Sequence, residues 1–88
     1  MINLPTPYQI FYHAIPQILG SGPKTHREIA RQLQQRHPEY CDDSIPCPHR
    51  EVNTIQPEWL HLARTAEQNL KSKGIIIHEP IIRKWQLA

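Results

Sequence analysis

The sequence predicts a mainly α-helical domain that ends in a small β-hairpin. Three observations favour this fold class. Two threonine capping boxes each precede apolar residues at helical spacing, and a third amphipathic stretch begins at Pro57 and stops at Gly74. Two short β-branched runs around a Glu-Pro dipeptide then close the chain. Because an isolated hairpin is marginally stable in water, we expect it to pack on the helices.

The stretch TPYQ (residues 6–9) predicts the start of the first helix. Its threonine can cap the helix, its proline suits the first helical position, and its glutamine completes a capping box. Since Pro16 has no N–H to donate to the Tyr12 carbonyl, we expect this helix to kink or end near Ala14 or Ile15. Apolar residues nevertheless continue at helical spacing: Tyr8, Phe11, Ile15, Ile18 and Leu19.

The stretch THRE (residues 25–28) is a second capping box and predicts a second helix that runs to about Arg36. Its apolar face consists of Ile29, Ala30 and Leu33. Its opposite face carries Arg27, Arg31, Gln34 and Gln35.

The third helix is predicted to begin at Pro57, with Trp59, Ala63, Ala66 and Leu70 as its apolar stripe. Residues 75–77 and 81–87 read as two strands, and residues 78–80 as the turn between them. On the second strand we expect Ile81, Trp85 and Leu87 to share a face, with Trp59 and Trp85 meeting where the third helix packs on the hairpin.

This order of elements is that of a winged helix-turn-helix, with three helices followed by a two- or three-stranded wing. We therefore predict a single domain over residues 1–88 that contains a long acidic loop at 37–56. The loop lengthens the turn between the second and third helices well beyond the usual few residues.

The segment EWLHLARTAEQNLKSKGIIIHEPIIRKWQLA (residues 58–88) resembles the end of the winged-helix domains fused in front of bacterial restriction endonucleases, of the Mrr type and the type attached to HNH nucleases. The segment AIPQILGSGPKTHREIARQL (residues 14–33) is similar to the first two helices of that family. The matching positions are Trp59, Ala63-Arg64, Leu70-Lys71, Gly74-Ile75, Trp85 and Leu87. The chain departs from the family at Lys84, where a glycine is usual, and at the Glu-Pro turn, which makes the wing less basic and argues against a minor-groove role for it.

The resemblance implies a domain that reads or positions double-stranded DNA while another domain or subunit, a nuclease, cuts it. The chain contains neither the acid-x-Lys pair of the Mrr-type catalytic core nor a His-Asn-His metal site. We therefore expect a binding module that is not itself an enzyme and takes no small-molecule substrate.

A polar stripe on the third helix is the predicted surface for base contacts, because arginine can fork onto guanine and glutamine onto adenine in the major groove. Basic residues around it are predicted to hold phosphates and set the register. The base-facing set is His61, Arg64, Thr65 and Gln68, and the phosphate-facing set is Lys24, Arg27, Lys71, Lys73 and Lys84. The alternatives are an ordinary solvated helix face and a winged helix that docks on a protein partner.

The charge distribution agrees with contact to a polyanion at both ends of the chain. The formal net charge is +2, but residues 1–36 carry four cations against one acid and residues 59–88 carry five cations against two acids. Residues 37–58 carry five acids against one arginine. A polyanion would meet the first and last segments and avoid the middle one.

The acidic loop contains His37, Cys41, Cys47 and His49, a chemically complete tetrahedral zinc set whose spacing departs from the usual zinc patterns. Two free thiols in a polar loop are the simpler interpretation, and a Cys41–Cys47 disulfide is disfavoured in a reducing compartment. A catalytic cluster of Asp42, Asp43, His49 and Glu51 has weak support, since no cleft is predicted there. We expect no required cofactor, with zinc as the alternative.

We expect a cytoplasmic protein. No apolar run approaches the ~20 residues that span a bilayer, and the N-terminus lacks the basic leader of a signal peptide.

Overall fold

The computed structural model describes residues 6–45 and 57–88. Over these ranges the chain is mainly helical and ends in a two-stranded antiparallel hairpin, which confirms the predicted fold class at this level. The elements are α1 (Pro7–Leu19), α2 (His26–Arg36), a short 3-10 helix (Pro38–Tyr40), α3 (Glu58–Ser72), β1 (Ile76–Glu79) and β2 (Lys84–Leu87).

Both predicted capping boxes are present, and the second one fixes where α2 starts. The Glu28 N–H donates to the Thr25 hydroxyl at 3.1 Å, and the Thr25 N–H donates to the Glu28 carboxylate at 3.0 Å. Hydrogen bonds from the Thr25 N–H and then its hydroxyl hold the pKa of the Glu28 carboxyl below its ordinary value. The capping box therefore fixes the directions in which the side chains of His26 and Arg27 point from the first turn of α2.

Of the predicted kink or end of α1 near Ala14 or Ile15, the end is wrong, because α1 continues through Pro16 to Leu19. The proline removes one hydrogen bond near the end of the helix, at a typical cost of about 3 kcal/mol. Continuing the helix buries Ile18 and Leu19, and each such side chain contributes about 1.5–3 kcal/mol. The Gly20 N–H then closes the helix by donating to the Pro16 and Gln17 carbonyls.

The core lies where α1 packs against α2, α3 and the hairpin. Trp59 packs edge-on against Phe11, with ring centroids 6.4 Å apart, whereas the ring of Trp85 contacts His78 at 4.7 Å. The predicted meeting of the two tryptophans is therefore wrong. Trp59 lies in the first turn of α3, whereas the hairpin leaves the opposite end of that helix.

The third helix begins one residue later than predicted, because Pro57 is its N-cap and Glu58 its first residue. Its predicted stop is confirmed at Gly74, which has a φ of 74°, in the left-handed region that glycine favours. The Ile75 N–H then donates to the Leu70 carbonyl at 3.0 Å, and the chain enters β1 against the end of α3.

The hairpin turn lies at residues 80–83, further along the chain than the predicted turn at 78–80. His78 pairs with Trp85 and Glu79 with Lys84, so the ladder continues up to Pro80, which has no N–H. Ile81 was predicted to share a strand face with Trp85, but it lies in the turn with 89% of its surface exposed.

A single bridge on the other edge of β2 joins the hairpin to the segment before α2. The Lys24 N–H donates to the Trp85 carbonyl at 2.9 Å, and the Trp85 N–H donates to the Lys24 carbonyl at 2.7 Å. Among the described residues, the hairpin thus has two strands and one bridged residue, and β2 is fixed beside the start of α2.

Candidate nucleic-acid interface

The polar stripe of α3 faces outward, as the apolar residues beneath it require. His61, Arg64 and Gln68 are exposed. Ala63, Ala66 and Leu70, on the other side of the helix, are fully buried. Thr65 is half-buried, and its hydroxyl donates to the His61 carbonyl at 3.0 Å, which leaves its oxygen lone pairs as acceptors.

A cleft of about 420 Å³ between α2 and α3 brings three arginines together. Arg27 and Arg31 stand one turn apart on α2, and Arg64 faces them from α3. Arg27 and Arg64 belong to the predicted site, and Arg31 does not. The sequence signal for Arg31 was its spacing of four residues from Arg27, which places both on one helix face.

Carboxylates do not neutralise these cations in the part of the chain that the structure describes. There, no lysine or arginine lies within 4.0 Å of a carboxylate oxygen, and the side chains at that distance from a carboxylate are the histidines His26 and His37. Three exposed guanidinium groups at one cleft produce a positive potential that attracts an anion.

A hydrogen-bonded chain behind the cleft holds Arg64. The Nδ1–H of His26 donates to Glu67 Oε1 at 2.5 Å, and the Nε–H of Arg64 donates to His26 Nε2 at 3.3 Å. In this arrangement Nδ1 of His26 is the donor to Glu67 and Nε2 is the acceptor from Arg64. The terminal amino groups of Arg64 remain without a partner among the described residues and can donate to a ligand.

Glu67 is the buried acid among the residues that the structure describes, with only 2% of its surface exposed. A buried carboxylate is costly unless it is hydrogen-bonded, and His26 supplies that bond across the interface between α2 and α3. Sequence reasoning did not assign a role to either residue. The available signal was that Glu67 lies four residues after Ala63 and three before Leu70, within the apolar stripe of α3.

The predicted lysines occupy two other places. Lys24 and Lys84 lie beside β2, where the bridge to Trp85 brings them near each other, and both lower the pKa of Glu28, though less than Thr25 does. Lys71 and Lys73 are exposed at the C-terminal end of α3, roughly 10–14 Å along the helix axis from Arg64.

A second cavity of about 200 Å³ lies next to the arginine cleft. It is lined by Gln68, Glu67 and Trp85, and it shares His26 and Arg64 with the cleft.

The acids at the start of the long loop have structural partners. Asp43 accepts hydrogen bonds from Trp59 Nε1 at 2.7 Å and from Gln34 Nε2 at 3.2 Å. Asp42 accepts from the hydroxyl and the N–H of Ser44, and these bonds lower the pKa of its carboxyl. His49 and Glu51, the other members of the predicted catalytic cluster, lie outside the described residues.

Two members of the predicted zinc set, Cys47 and His49, lie outside the described residues. Cys41 is a free thiol with 5% of its surface exposed. Burial, reinforced by Asp43 and Glu39, raises the pKa of this thiol from its ordinary value of 9.0 to about 11. In these surroundings Cys41 is a protonated thiol at neutral pH.

We expect Cys41 to react with a thiol reagent about 100-fold more slowly in the folded protein than in urea at pH 8, because raising the pKa by this amount lowers the thiolate fraction about 100-fold. The rate can be measured with Ellman's reagent in a Cys47→Ser variant, in which Cys41 is the only thiol. Equal rates in the folded and unfolded protein would contradict a buried thiol.

The free energy of unfolding should follow the same shift in pKa. The contribution of the Cys41 thiol is fully present below about pH 9 and is lost as the pH rises through about 11.

No family model, curated protein or solved structure matches this chain. Over the two described ranges, none of the helices combines the length and apolar character needed to cross a membrane. The basis for a functional assignment is therefore the layout of the helices and hairpin and the positive cleft between α2 and α3.

Proposed function

We propose that the chain is a winged-helix DNA-binding module whose α3 enters the major groove of double-stranded DNA. The observation that carries this proposal is the convergence of Arg27, Arg31 and Arg64 on one cleft, with no carboxylate pairing them in the part of the chain that the structure describes. The order of helices and hairpin supports it, because a helix-turn-helix presents its second helix to the groove while the preceding helix crosses the backbone.

The residues divide into two roles in this complex. Arg27 and Arg31 on α2 contact phosphates and position the domain, together with the lysines beside β2 and at the end of α3. Arg64 and Gln68 on α3 face base edges, where the bond from Arg64 Nε to His26 orients its terminal amino groups for a bidentate contact to guanine. His61 and Thr65 contribute to the same face.

The resemblance to endonuclease-associated domains suggests the setting of this activity. In that setting the module binds DNA in the bacterial cytoplasm and takes no part in bond cleavage, which a nuclease domain or subunit performs. Zinc is not needed for this role, because the proposed interface lies on α2 and α3.

Fluorescence anisotropy with a labelled duplex of about two helical turns tests the proposal. With four or five phosphate contacts, we expect the logarithm of the association constant to fall with the logarithm of salt concentration at a slope of about −4. The variant Arg64→Ala/Gln68→Ala should bind at least tenfold more weakly, because each bidentate base contact contributes about 1–3 kcal/mol. A Gln17→Ala variant, which changes an exposed residue of α1, should bind like the parent.

A different outcome would favour the alternative function, docking on a protein. The absence of salt-sensitive binding, combined with self-association that buries the polar face of α3, would reject the DNA-binding proposal.

A further inference from the structure

We propose that the wing tip, defined as residues 80–83, is an apolar wedge that enters the minor groove next to α3, separates stacked base pairs and bends the duplex. This inference rests on the proposed DNA binding. It assigns contact with the minor groove and bending of the duplex to the tip, and the α2–α3 cleft accounts for neither.

The tip displays two aliphatic side chains to solvent. Ile81 is 89% exposed and Ile82 is 54% exposed. Turns of this kind normally carry glycine, asparagine, aspartate or serine, which adopt positive φ angles or form side-chain hydrogen bonds to the backbone. The exposed apolar residues on the strands, Ile77 and Leu87, are each shielded over more than half of their surface, so the tip is the most exposed apolar point of the described hairpin.

Cations immediately follow the two isoleucines. Arg83 is exposed and has a φ of 54°, a left-handed conformation that glycine or asparagine adopts more easily. A strained residue of this kind is often retained for its side chain, here a guanidinium beside the apolar tip. Lys84 adds a second positive charge, and the nearby Glu79 carboxylate is held by the turn itself, since it accepts from the Ile81 N–H at 3.2 Å.

This combination suits the DNA minor groove. Proteins that bend DNA from that groove insert isoleucine, leucine, phenylalanine, methionine or proline between base steps and place arginine or lysine in the groove beside them. A protein partner is a poorer fit, because two exposed side chains fall far short of the roughly 800 Å² per partner that a stable protein interface buries.

The position of the hairpin places its tip next to the proposed DNA surface. Trp85 borders the same cavity as Arg64 and Gln68, so the base of β2 lies beside the face proposed for the major groove. Strand pairing continues from Trp85 to the pair of Glu79 with Lys84, and the turn at residues 80–83 lies beyond that pair. With α3 in the major groove, we therefore place the tip at the phosphate ridge that borders the adjacent minor groove.

The Glu-Pro dipeptide, which on sequence grounds disfavoured a minor-groove role, lies at the start of the turn and not at its most exposed point. In the structure Glu79 is a strand residue paired with Lys84, and the residues that project are Ile81, Ile82 and Arg83.

Bending can be measured by resonance energy transfer between dyes at the two ends of a duplex, and unstacking by the fluorescence of 2-aminopurine placed in it. We expect the parent protein to shorten the end-to-end distance and brighten 2-aminopurine at one step. The variant Ile81→Ser/Ile82→Ser should lose both signals while binding less than tenfold more weakly. Ile77→Ser is the matched control, because it removes an exposed isoleucine from the strand and should leave both signals unchanged.

Each other outcome has a distinct meaning. Salt-sensitive binding by the parent without bending, or bending that survives in the Ile81→Ser/Ile82→Ser variant, overturns the wedge and leaves the proposed function standing. A parent protein that self-associates through the tip, with dissociation on Ile81→Ser/Ile82→Ser and unchanged bending, overturns the wedge in favour of a contact between copies. Failure of the parent to bind any duplex removes both proposals.

Discussion

The double variant Arg27→Ala/Arg31→Ala is expected to bind duplex DNA about 100-fold more weakly than the parent at moderate salt. Each arginine supplies a charged hydrogen bond worth about 1.5 kcal/mol, and 1.4 kcal/mol corresponds to a factor of ten. Removing two phosphate contacts should also reduce the magnitude of the salt slope by about 2. Both quantities come from anisotropy titrations at several salt concentrations.

Arg36→Ala provides the control for this result. Arg36 is an exposed cation in the last turn of α2, but it does not line the arginine cleft. We expect its removal to change the affinity by less than about threefold, in keeping with the small contribution of a distant surface charge. If Arg36→Ala weakened binding as much as loss of an arginine from the cleft, net charge rather than the cleft would explain the affinity.

The substitution Trp59→Ala is expected to lower the free energy of unfolding by about 3–5 kcal/mol, as for other large aromatic side chains removed from a core. Trp59 is only 6% exposed, packs on Phe11 and donates its indole N–H to Asp43. A domain of this size has a total stability of roughly 4–13 kcal/mol, so the variant should be close to unfolding at room temperature. Urea titration followed by far-ultraviolet circular dichroism measures the loss.

Two milder variants separate the packing of Trp59 from its hydrogen bond. Trp59→Phe keeps most of the ring contact with Phe11 and leaves the Asp43 carboxylate exposed to water, so we expect a loss of about 1–2 kcal/mol. Asp43→Ala removes the same bond from the other side, together with the exposed bond from Gln34, and should cost a similar amount. A loss below about 1 kcal/mol for Trp59→Ala would contradict the assignment of Trp59 as the anchor that holds the start of α3 on α1.

The features predicted well from sequence are those that depend on neighbouring residues. The two capping boxes, the end of α2 at Arg36 and the stop at Gly74 are all set within one helical turn by side chain–backbone bonds or by backbone angles. The burial of Ala63 and Leu70 likewise follows from helical spacing alone.

The errors occur where packing between distant segments decides the outcome. Pro16 was expected to end α1, but burial of Ile18 and Leu19 outweighs the lost hydrogen bond. The turn was placed at residues 78–80, yet strand pairing continues through Glu79. The ladder can end at Pro80 because this residue has no backbone N–H that needs a partner. Helical periodicity could not reveal that Trp59 packs on Phe11 whereas Trp85 packs on His78.

The candidate site could be predicted only in part for the same reason. Spacing on α3 identified Arg64 and Gln68 as neighbours on an exposed stripe, and this placement agrees with the structure. The cleft itself depends on how α2 packs against α3. The bond between His26 and Glu67 joins residues 41 positions apart, so no local pattern indicated that a buried carboxylate would orient a histidine toward Arg64.

The most direct test of DNA binding at the α2–α3 cleft is an amide chemical-shift titration of the ¹⁵N-labelled protein with duplex DNA. We expect the largest shifts at residues 26–31 of α2 and 61–68 of α3, with smaller shifts at the wing and little change along residues 7–17 of α1. Shifts that are absent, or that concentrate on α1 and the acidic residues 39–45 while the cleft stays unchanged, would contradict the proposed interface.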